Sequence, residues 1–217
     1  MLGLLTAGLG VQCGAPAGAP SPQPAPPPSA PAPRPATVSP VTAEELGATW
    51  HPGCPVGPEQ LRRVELDHLG FDGNLHRGEL IVHQDRVQQV IDVFEELQRL
   101  GYPIEKMRNV AHYPGAEDEL SMRDNNTSAF NCREIPGTGR WAYHAYGTAV
   151  DLNPLLNPYL DENGVQPATA GEYLDRTRTD PGMLHDGDPA VRAFTDRGWQ
   201  WGGHWTNPVD YQHFEMP

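Results

Sequence analysis

Two stretches in the second half of the chain contain residue types that bind metal ions in proteins. One carries His144 and Asp151, seven positions apart, and the other carries Asp210 and His213 close to the C-terminus. Two imidazoles and one carboxylate are the ligand set of a catalytic zinc ion whose fourth position stays open. A carboxylate three residues before a ligand, as Asp210 is, could handle the proton of an attacking water. These residues predict a site where zinc activates water.

Each of these residues also has an ordinary structural explanation. His144 lies in a loop-like stretch and could be a plain surface histidine. Asp151 lies in an apolar stretch, where a buried carboxylate needs a partner, and a metal ion is one such partner. The spacing also differs from the helical zinc motif, in which two histidines lie four positions apart. Spacing alone therefore leaves both interpretations open.

The composition of the chain argues against several kinds of partner. The 217 residues suffice for one ordinary domain with an extension, and they carry a formal net charge of −13. An acidic chain is a poor ligand for nucleic acid, and no basic cluster suggests binding to an anionic membrane surface. We expect a monomer without a nucleic-acid partner and without a membrane span.

The N-terminal region is typical of an export segment followed by a spacer. Residues 1–13 contain an apolar run too short to span a bilayer, which resembles a signal sequence, or a truncated one, without its basic start. Residues 14–40 are rich in proline and alanine and are expected to form a disordered linker before a folded domain at 41–217. A lipid anchor at Cys13 is not expected, because Gln12 is a poor residue before a lipidated cysteine. We therefore expect a secreted or cell-envelope protein.

The two cysteines of the expected domain, Cys54 and Cys132, form an even pair. Outside the cytosol, such a pair most simply forms one disulfide. The alternative is two buried free thiols.

The first half of the domain contains the clearest secondary-structure signals. Thr42 and Glu45 have the spacing of a capping box, which predicts a short helix. Residues 61–68 and 79–83 are expected to form two strands of a hairpin, with turn residues between them. Apolar residues at helical spacing predict a helix over 84–100.

The second half is expected to contain shorter elements: strands at 127–133, 148–152 and 211–215, and a helix at 189–197 with Asp188 as its N-cap. Residues 161–188 form a long polar excursion, and loops of that length are often a wall of a substrate cleft. Together the elements predict an α+β fold, with a small antiparallel sheet and helices packed on it.

Residues 144–151 read HAYGTAVD and match the HxxGxAxD core of zinc D-alanyl-D-alanine carboxypeptidases and L-alanyl-D-glutamate endopeptidases. The chain thus resembles the VanY/VanX-type peptidases, which share the Hedgehog/DD-peptidase fold. Residues 125–133 resemble the stretch that precedes this core in one bacterial branch, and residues 199–205 and 210–215 resemble its C-terminal motif. The resemblance runs from about residue 54 to the end, and the ordered set of motifs is far more specific than any single one.

The resemblance implies that His144, Asp151 and His213 are the zinc ligands. It also implies that Asp210 is the general base, where other branches use glutamate. A regular strand would put Asp210 and His213 on opposite faces, so a bend or loop must bring them together. Glu215 is a rival base, and its alternative role is to orient a zinc ligand.

The resemblance further suggests residues that contact the substrate. Arg133 resembles an arginine that family members place near the scissile carbonyl, where it would stabilise the developing oxyanion. The alternative for Arg133 is a structural ion pair. Ser128 and Tyr146 lie where the motifs would place substrate contacts, although plain core or surface roles are equally open. The family often has serine where this chain has Ala142, which removes a supporting hydroxyl without affecting a ligand.

The substrate class implied by the resemblance is the stem peptide of peptidoglycan. The expected activity is that of a zinc metallopeptidase of the D,D-carboxypeptidase type. One alternative is an L-alanyl-D-glutamate-type endopeptidase that cuts within the stem. Another is a domain of the same fold that binds cell-wall peptides or zinc without catalysis.

Overall fold

The computed structural model describes residues 32–217, together with Gly3, Gly8 and Gly10. Ala32–Pro217 forms one packed unit. Apart from these three glycines, the expected export segment, which includes Cys13, and most of the expected linker lie outside the described residues. Among the residues that are described, no helix has both the length and the apolar character needed to cross a membrane.

The described residues form helices α1 (Ala43–Leu46), α2 (Val87–Arg99), α3 (Asp118–Arg123) and α4 (Pro189–Thr195). The strands are short apart from the second and third: β1 (Thr37–Pro40), β2 (Leu61–Leu69), β3 (Leu75–His83), β4 (Lys106–Met107), β5 (Asn126–Thr127), β6 (Glu134–Ile135), β7 (Arg140–Trp141), β8 (Ala149–Asp151), β9 (Tyr159–Asp161), β10 (Gly164–Gln166), β11 (Gln200–Trp201), β12 (Val209–Asp210) and β13 (His213–Glu215). Turns of 3-10 helix connect many of them. The strands form several small sheets, antiparallel except for the β4–β5 pair, so the predicted α+β class is confirmed.

The largest sheet is the antiparallel hairpin of β2 and β3, with β1 added at its edge. The hairpin matches the prediction but is longer, because residues 75–78 extend its second strand. The domain boundary expected at residue 41 is too late. Val38 pairs with Val64 in β2, and the Arg34 guanidinium lies 2.8 Å from the Asp67 carboxylate. Backbone pairing at a sheet edge tolerates proline, so composition alone could not show that this segment is ordered.

The main core lies between this hairpin, α2 and α4. The apolar face of α2 buries Val90, Val93, Phe94 and Leu97, and these pack with apolar residues of β2 and β3. Phe94 meets Phe194 of α4 edge-on, with 6.3 Å between ring centroids. Each such buried side chain contributes about 1.5–3 kcal/mol. The predicted helix at 84–100 is therefore confirmed, although its first three residues form a 3-10 turn.

A second sheet, in the order β11-β13-β8, carries two of the three candidate metal ligands, Asp151 and His213. The strand predicted at 127–133 is wrong beyond Ser128, which makes an isolated bridge to Asp151. The reason is that successive backbone N–H groups bond to different segments. Phe130 donates to the Ile81 carbonyl at 3.0 Å, and Cys132 donates to the Thr49 carbonyl at 2.9 Å.

The long polar excursion at 161–188 is more structured than the sequence indicated. Its start forms a hairpin of β9 and β10, and β9 also pairs with β12. The helix predicted at 189–197 is present as α4. Asp188 occupies the N-cap position, but its carboxylate accepts a hydrogen bond from the His185 backbone at 2.8 Å rather than from the helix.

Candidate active site

His144, Asp151 and His213 meet at one buried point. The Nε2 atom of His144 lies 3.1 Å from Nδ1 of His213 and 3.2 Å from Oδ2 of Asp151. Nδ1 of His213 lies 3.0 Å from Oδ1 of Asp151. The two stretches meet because β8 and β13 pair with His213 directly opposite Asp151. Side chains directly opposite each other on antiparallel strands are neighbours on one face of the sheet.

His144 is positioned by a tight turn rather than by a strand. It lies in the 3-10 helix Tyr143–Tyr146, which ends at Gly147 in the left-handed conformation, with φ of 69°. A Cβ atom at Gly147 would lie 2.6 Å from the backbone nitrogen of His83, so the close approach of β3 also requires glycine. The chain can therefore turn directly from His144 into β8.

The outward nitrogen of each imidazole is held by a hydrogen-bond acceptor. Nδ1 of His144 lies 2.5 Å from the carbonyl oxygen of Ala129, and Nε2 of His213 lies 3.0 Å from Oε2 of Glu215. A nitrogen facing a carbonyl must carry the proton, so the other nitrogen of His144 presents its lone pair to the cluster. Metal-ligating histidines are commonly oriented in this way.

The donor set fits a zinc ion. Zinc bonds of about 2.0–2.1 Å at tetrahedral angles separate neighbouring ligand atoms by roughly 3.3 Å. The two imidazole nitrogens are 3.1 Å apart, His213 Nδ1 is 3.0 Å from Oδ1 of Asp151, and His144 Nε2 is 3.2 Å from Oδ2 of the same carboxylate. Three protein ligands also leave the fourth position open, as in catalytic rather than structural zinc sites.

The electrostatics of this cluster favour positive charge. Burial alone would lower the pKa of His213, but hydrogen bonds to Asp151 and Glu215 outweigh it and raise that pKa to about 10. Burial would likewise raise the pKa of Asp151, but the adjacent imidazoles of His144 and His213 hold that pKa well below its usual range. A field that stabilises a proton at this point also stabilises a bound cation.

A bend in the chain between Asp210 and His213, as expected from the sequence, brings Asp210 to the cluster of His144, Asp151 and His213. It lies in β12, paired with Tyr159 of β9, whereas His213 lies in β13 of the other sheet. Between them, Tyr211 donates to the Pro158 carbonyl, and the Gln212 carbonyl accepts from Leu152, so the chain changes sheets. Tyr211 and Gln212 lie outside the strands. The regular alternation of strand side chains is therefore interrupted, and it no longer places Asp210 and His213 on opposite faces.

The carboxyl group of Asp210 is unusual in its surroundings. Burial, with the negative charge of Asp151, raises its pKa to about 7, against the opposing effect of His213 and Arg133. Its Oδ1 atom is buried and has no hydrogen-bond partner among the described residues. A carboxyl group with this pKa can both accept and return a proton near neutral pH.

Arg133 is held in an ion pair at the edge of the site. Its Nε atom pairs with Oδ2 of Asp118, at the start of α3. The other oxygen of Asp118 accepts a hydrogen bond from Nδ2 of Asn131 at 2.6 Å. The charge of Arg133 also lowers the pKa of Asp210. The ion pair considered from the sequence is therefore present, and it lies within electrostatic reach of the site.

The two residues suggested for substrate contact lie in different settings. Ser128 is buried, and its backbone exchanges two hydrogen bonds with Asp151, at 3.0 and 2.9 Å, which support the ligand without using the hydroxyl. Tyr146 is exposed beside Tyr143, with 6.5 Å between ring centroids. Ala142 is buried, and its N–H donates to the Arg133 carbonyl at 3.1 Å.

Two contributors to the site were missed in the sequence, and a third was indicated only as one of several aromatic residues. Ala129 acts through its backbone carbonyl, which has no sequence signal. Asp118 lies fifteen residues before Arg133, in a polar stretch that shows no clear pattern. Trp205 places its ring 5.5 Å from the His213 ring, whereas Trp199 and Trp201 of the same aromatic segment are buried in the core. The segment's aromatic composition was visible, but not which ring faces the site.

A disulfide joins Cys54 to Cys132, with 6.0 Å between the Cα atoms. Cys132 lies between Asn131, whose N–H donates to the His144 carbonyl at 3.3 Å, and Arg133. The disulfide therefore restrains the irregular segment that lines one side of the site.

Comparison with known proteins gives a match over the second half of the domain. Residues 136–216 match a family model described as D-alanyl-D-alanine carboxypeptidase. No curated protein and no solved structure shows a significant match to the chain. The matched range contains His144, Asp151, Asp210 and His213 but starts after Arg133. Over residues 136–216, the chain is therefore similar to the D-alanyl-D-alanine carboxypeptidase family of peptidases.

Proposed function

We propose that the protein is a zinc-dependent D,D-carboxypeptidase that removes the terminal D-alanine from peptidoglycan stem peptides. The observation that carries this proposal is the buried meeting point of His144, Asp151 and His213, with ligand atoms separated by 3.0–3.2 Å. The description of the matching family supports the D-alanyl-D-alanine bond as the target.

The residues of the site divide the chemistry among them. A zinc ion held by the three ligands would supply Lewis acidity, polarising the scissile carbonyl and acidifying water. Asp210 accepts the proton of the attacking water and later gives it to the leaving amine, a use that its pKa of about 7 suits. Arg133, anchored through Nε by Asp118, offers its terminal nitrogens to the oxygen that becomes negatively charged.

The proposed substrate lies outside the cytoplasm, and we propose that the protein acts there, secreted or associated with the cell envelope. The Cys54–Cys132 disulfide supports this location, because structural disulfides form and persist mainly in oxidising compartments. The net charge of −13 makes the peptide, rather than an anionic polymer, the expected binding partner. We propose a monomer.

The test is mass spectrometry of purified stem pentapeptides after incubation with the protein, with and without a chelator. Loss of one alanine that stops with chelator and returns with zinc is the expected result. Cleavage between the first two stem residues would instead assign the endopeptidase alternative. Absence of any product with zinc-loaded, folded protein would contradict a peptidase acting on stem peptides, and undiminished activity with chelator would contradict zinc dependence.

A further inference from the structure

A second group of metal-ligating atoms lies outside the peptidase site. One imidazole nitrogen of His51 and the sulfurs of Cys54 and Cys132 lie within 4.8 Å of one another. His51 Nε2 is 3.7 Å from the Cys132 sulfur. In the disulfide the two sulfurs carry no charge, but two thiolates with an imidazole are ligands that zinc and softer ions prefer.

The His51 ring is already turned for ligation. Its Nδ1 atom lies 3.0 Å from the carbonyl oxygen of Pro52 and must carry the proton there. Nε2 therefore presents its lone pair on the side of the sulfurs. Ala129 holds the ring of His144 by the same device, a backbone carbonyl at Nδ1.

The turn that carries His51 and Cys54 also suits a metal site. The Cys54 N–H donates to the His51 carbonyl at 3.2 Å, and the His51 N–H donates to the Cys54 sulfur at 3.3 Å. Gly53, with φ of 106°, allows the tight return of the chain. Two ligands separated by two residues are the spacing of structural zinc turns, and an N–H aimed at sulfur stabilises the thiolate.

We propose that reduction of the Cys54–Cys132 disulfide converts this group into a Zn²⁺ site ligated by His51, Cys54 and Cys132. A dithiol reductant supplies two electrons and two protons, becomes a cyclic disulfide itself, and leaves two cysteine thiols. Binding of the ion then releases both thiol protons to solvent. His51 is exposed, so the ion has an entry path and its fourth position faces water.

Cobalt(II) is a suitable probe, because a thiolate bound to it gives a charge-transfer band that nitrogen and oxygen ligands do not give. The full chain is titrated with cobalt in its oxidised form and again after reduction. We expect the band only after reduction, with one additional ion per chain, and its loss when Zn²⁺ displaces cobalt. Circular dichroism recorded in each state restricts the comparison to folded protein. Absence of the band in the reduced protein would overturn the proposal.

Variants separate the three ligands. Cys132→Ser and Cys54→Ser should each abolish the two-thiolate band, and His51→Ala should weaken cobalt binding and shift the band. His112→Ala, which changes an exposed histidine elsewhere in the chain, should leave the reduced protein unchanged. If His51→Ala binds cobalt with unchanged affinity and spectrum, His51 is not a ligand of the ion. The readout does not use peptidase activity. The test of this second metal site is therefore independent of the test of the proposed function.

Discussion

The Nε2 atom of His213 lies 3.0 Å from Oε2 of Glu215, on the ring edge opposite the nitrogen that faces Asp151. Glu215 is therefore engaged in holding a candidate zinc ligand. Asp210, in contrast, keeps a buried oxygen without a hydrogen-bond partner among the described residues. This contrast supports Asp210 as the general base and Glu215 as the residue that orients His213.

Replacement of the proposed base should affect chemistry alone. Asp210→Ala should lower the turnover of stem peptides by roughly 10²–10⁴, because the proton of the attacking water loses its acceptor. Zinc content and melting temperature should change little, since no proposed metal bond is removed. Turnover is compared between zinc-loaded variants. Near-full activity of Asp210→Ala would exclude the assigned role.

Replacement of Glu215 should reduce zinc affinity more than it reduces turnover. Glu215→Gln weakens the hydrogen bond to His213 and should reduce zinc affinity by roughly 10–100-fold. At saturating zinc, turnover should recover most of its wild-type value. Affinity is measured by competition with a chromophoric chelator. If the zinc-saturated variant stays inactive while Asp210→Ala is active, the two carboxylates must exchange roles.

Removal of a proposed ligand should release the ion. The purified protein is expected to carry about one zinc, and His144→Ala should lose most of it, since one of three protein ligands is missing. Metal analysis of protein purified without chelator gives the answer. The matched control is His204→Ala, an exposed histidine paired with Asp186. Equal zinc in His144→Ala and wild type would reject the ligand assignment.

The anchor of Arg133 should matter for turnover although it lies at the edge of the site. Asp118→Asn removes the charge that holds the Nε side of Arg133, and turnover should fall by roughly tenfold, less than the 10²–10³ expected for loss of an oxyanion-stabilising donor in Arg133→Ala. In an Arg133→Ala background, Asp118→Asn should cause no further loss. This non-additivity separates a positioning role from a general effect on stability.

Glu119→Gln is the matched control for Asp118. Glu119 is the next residue of α3 and pairs with Arg123 at 3.1 Å. The control loses one acidic ion pair from the same helix, but not the one that contains Arg133. Equal losses of turnover in Asp118→Asn and Glu119→Gln would show that Asp118 acts only through the helix.

A buried histidine should contribute to acid sensitivity. Burial, with the charge of His76, lowers the pKa of His68 to about 4, against the raising effect of Asp67. The unfolded chain therefore binds more protons than the folded chain between pH of about 6.5 and about 4, so stability falls as the pH falls through this window. Across the whole window, one such histidine lowers the free energy of unfolding by about 3 kcal/mol.

His68→Phe should flatten this dependence. Urea unfolding at pH 7 and at pH 4.5, compared between variant and wild type, measures the difference. His204→Ala is a suitable control, because it removes an exposed histidine side chain instead of a buried one. An identical loss of stability in His68→Phe and wild type would show that other groups cause the acid sensitivity.

Local patterns determined much of what could be read from the sequence. The spacing of apolar residues in α2 and the turn between β2 and β3 are properties of neighbouring residues, and both were predicted. The HAYGTAVD segment also depends on local conformation, because Gly147 permits the turn that separates His144 from Asp151. Residue types and their order were therefore enough to indicate the candidate ligands and the kind of chemistry.

Only the tertiary structure decided how these parts come together. The pairing of β8 with β13 joins residues 62 positions apart and sets His213 opposite Asp151. The carbonyl of Ala129, the anchoring of Arg133 and the ordering of β1 depend on backbone groups and long-range contacts that residue types do not encode locally. Every residue carries a carbonyl group, and every residue except proline carries an N–H group, so the folded chain alone determines which of them face the site.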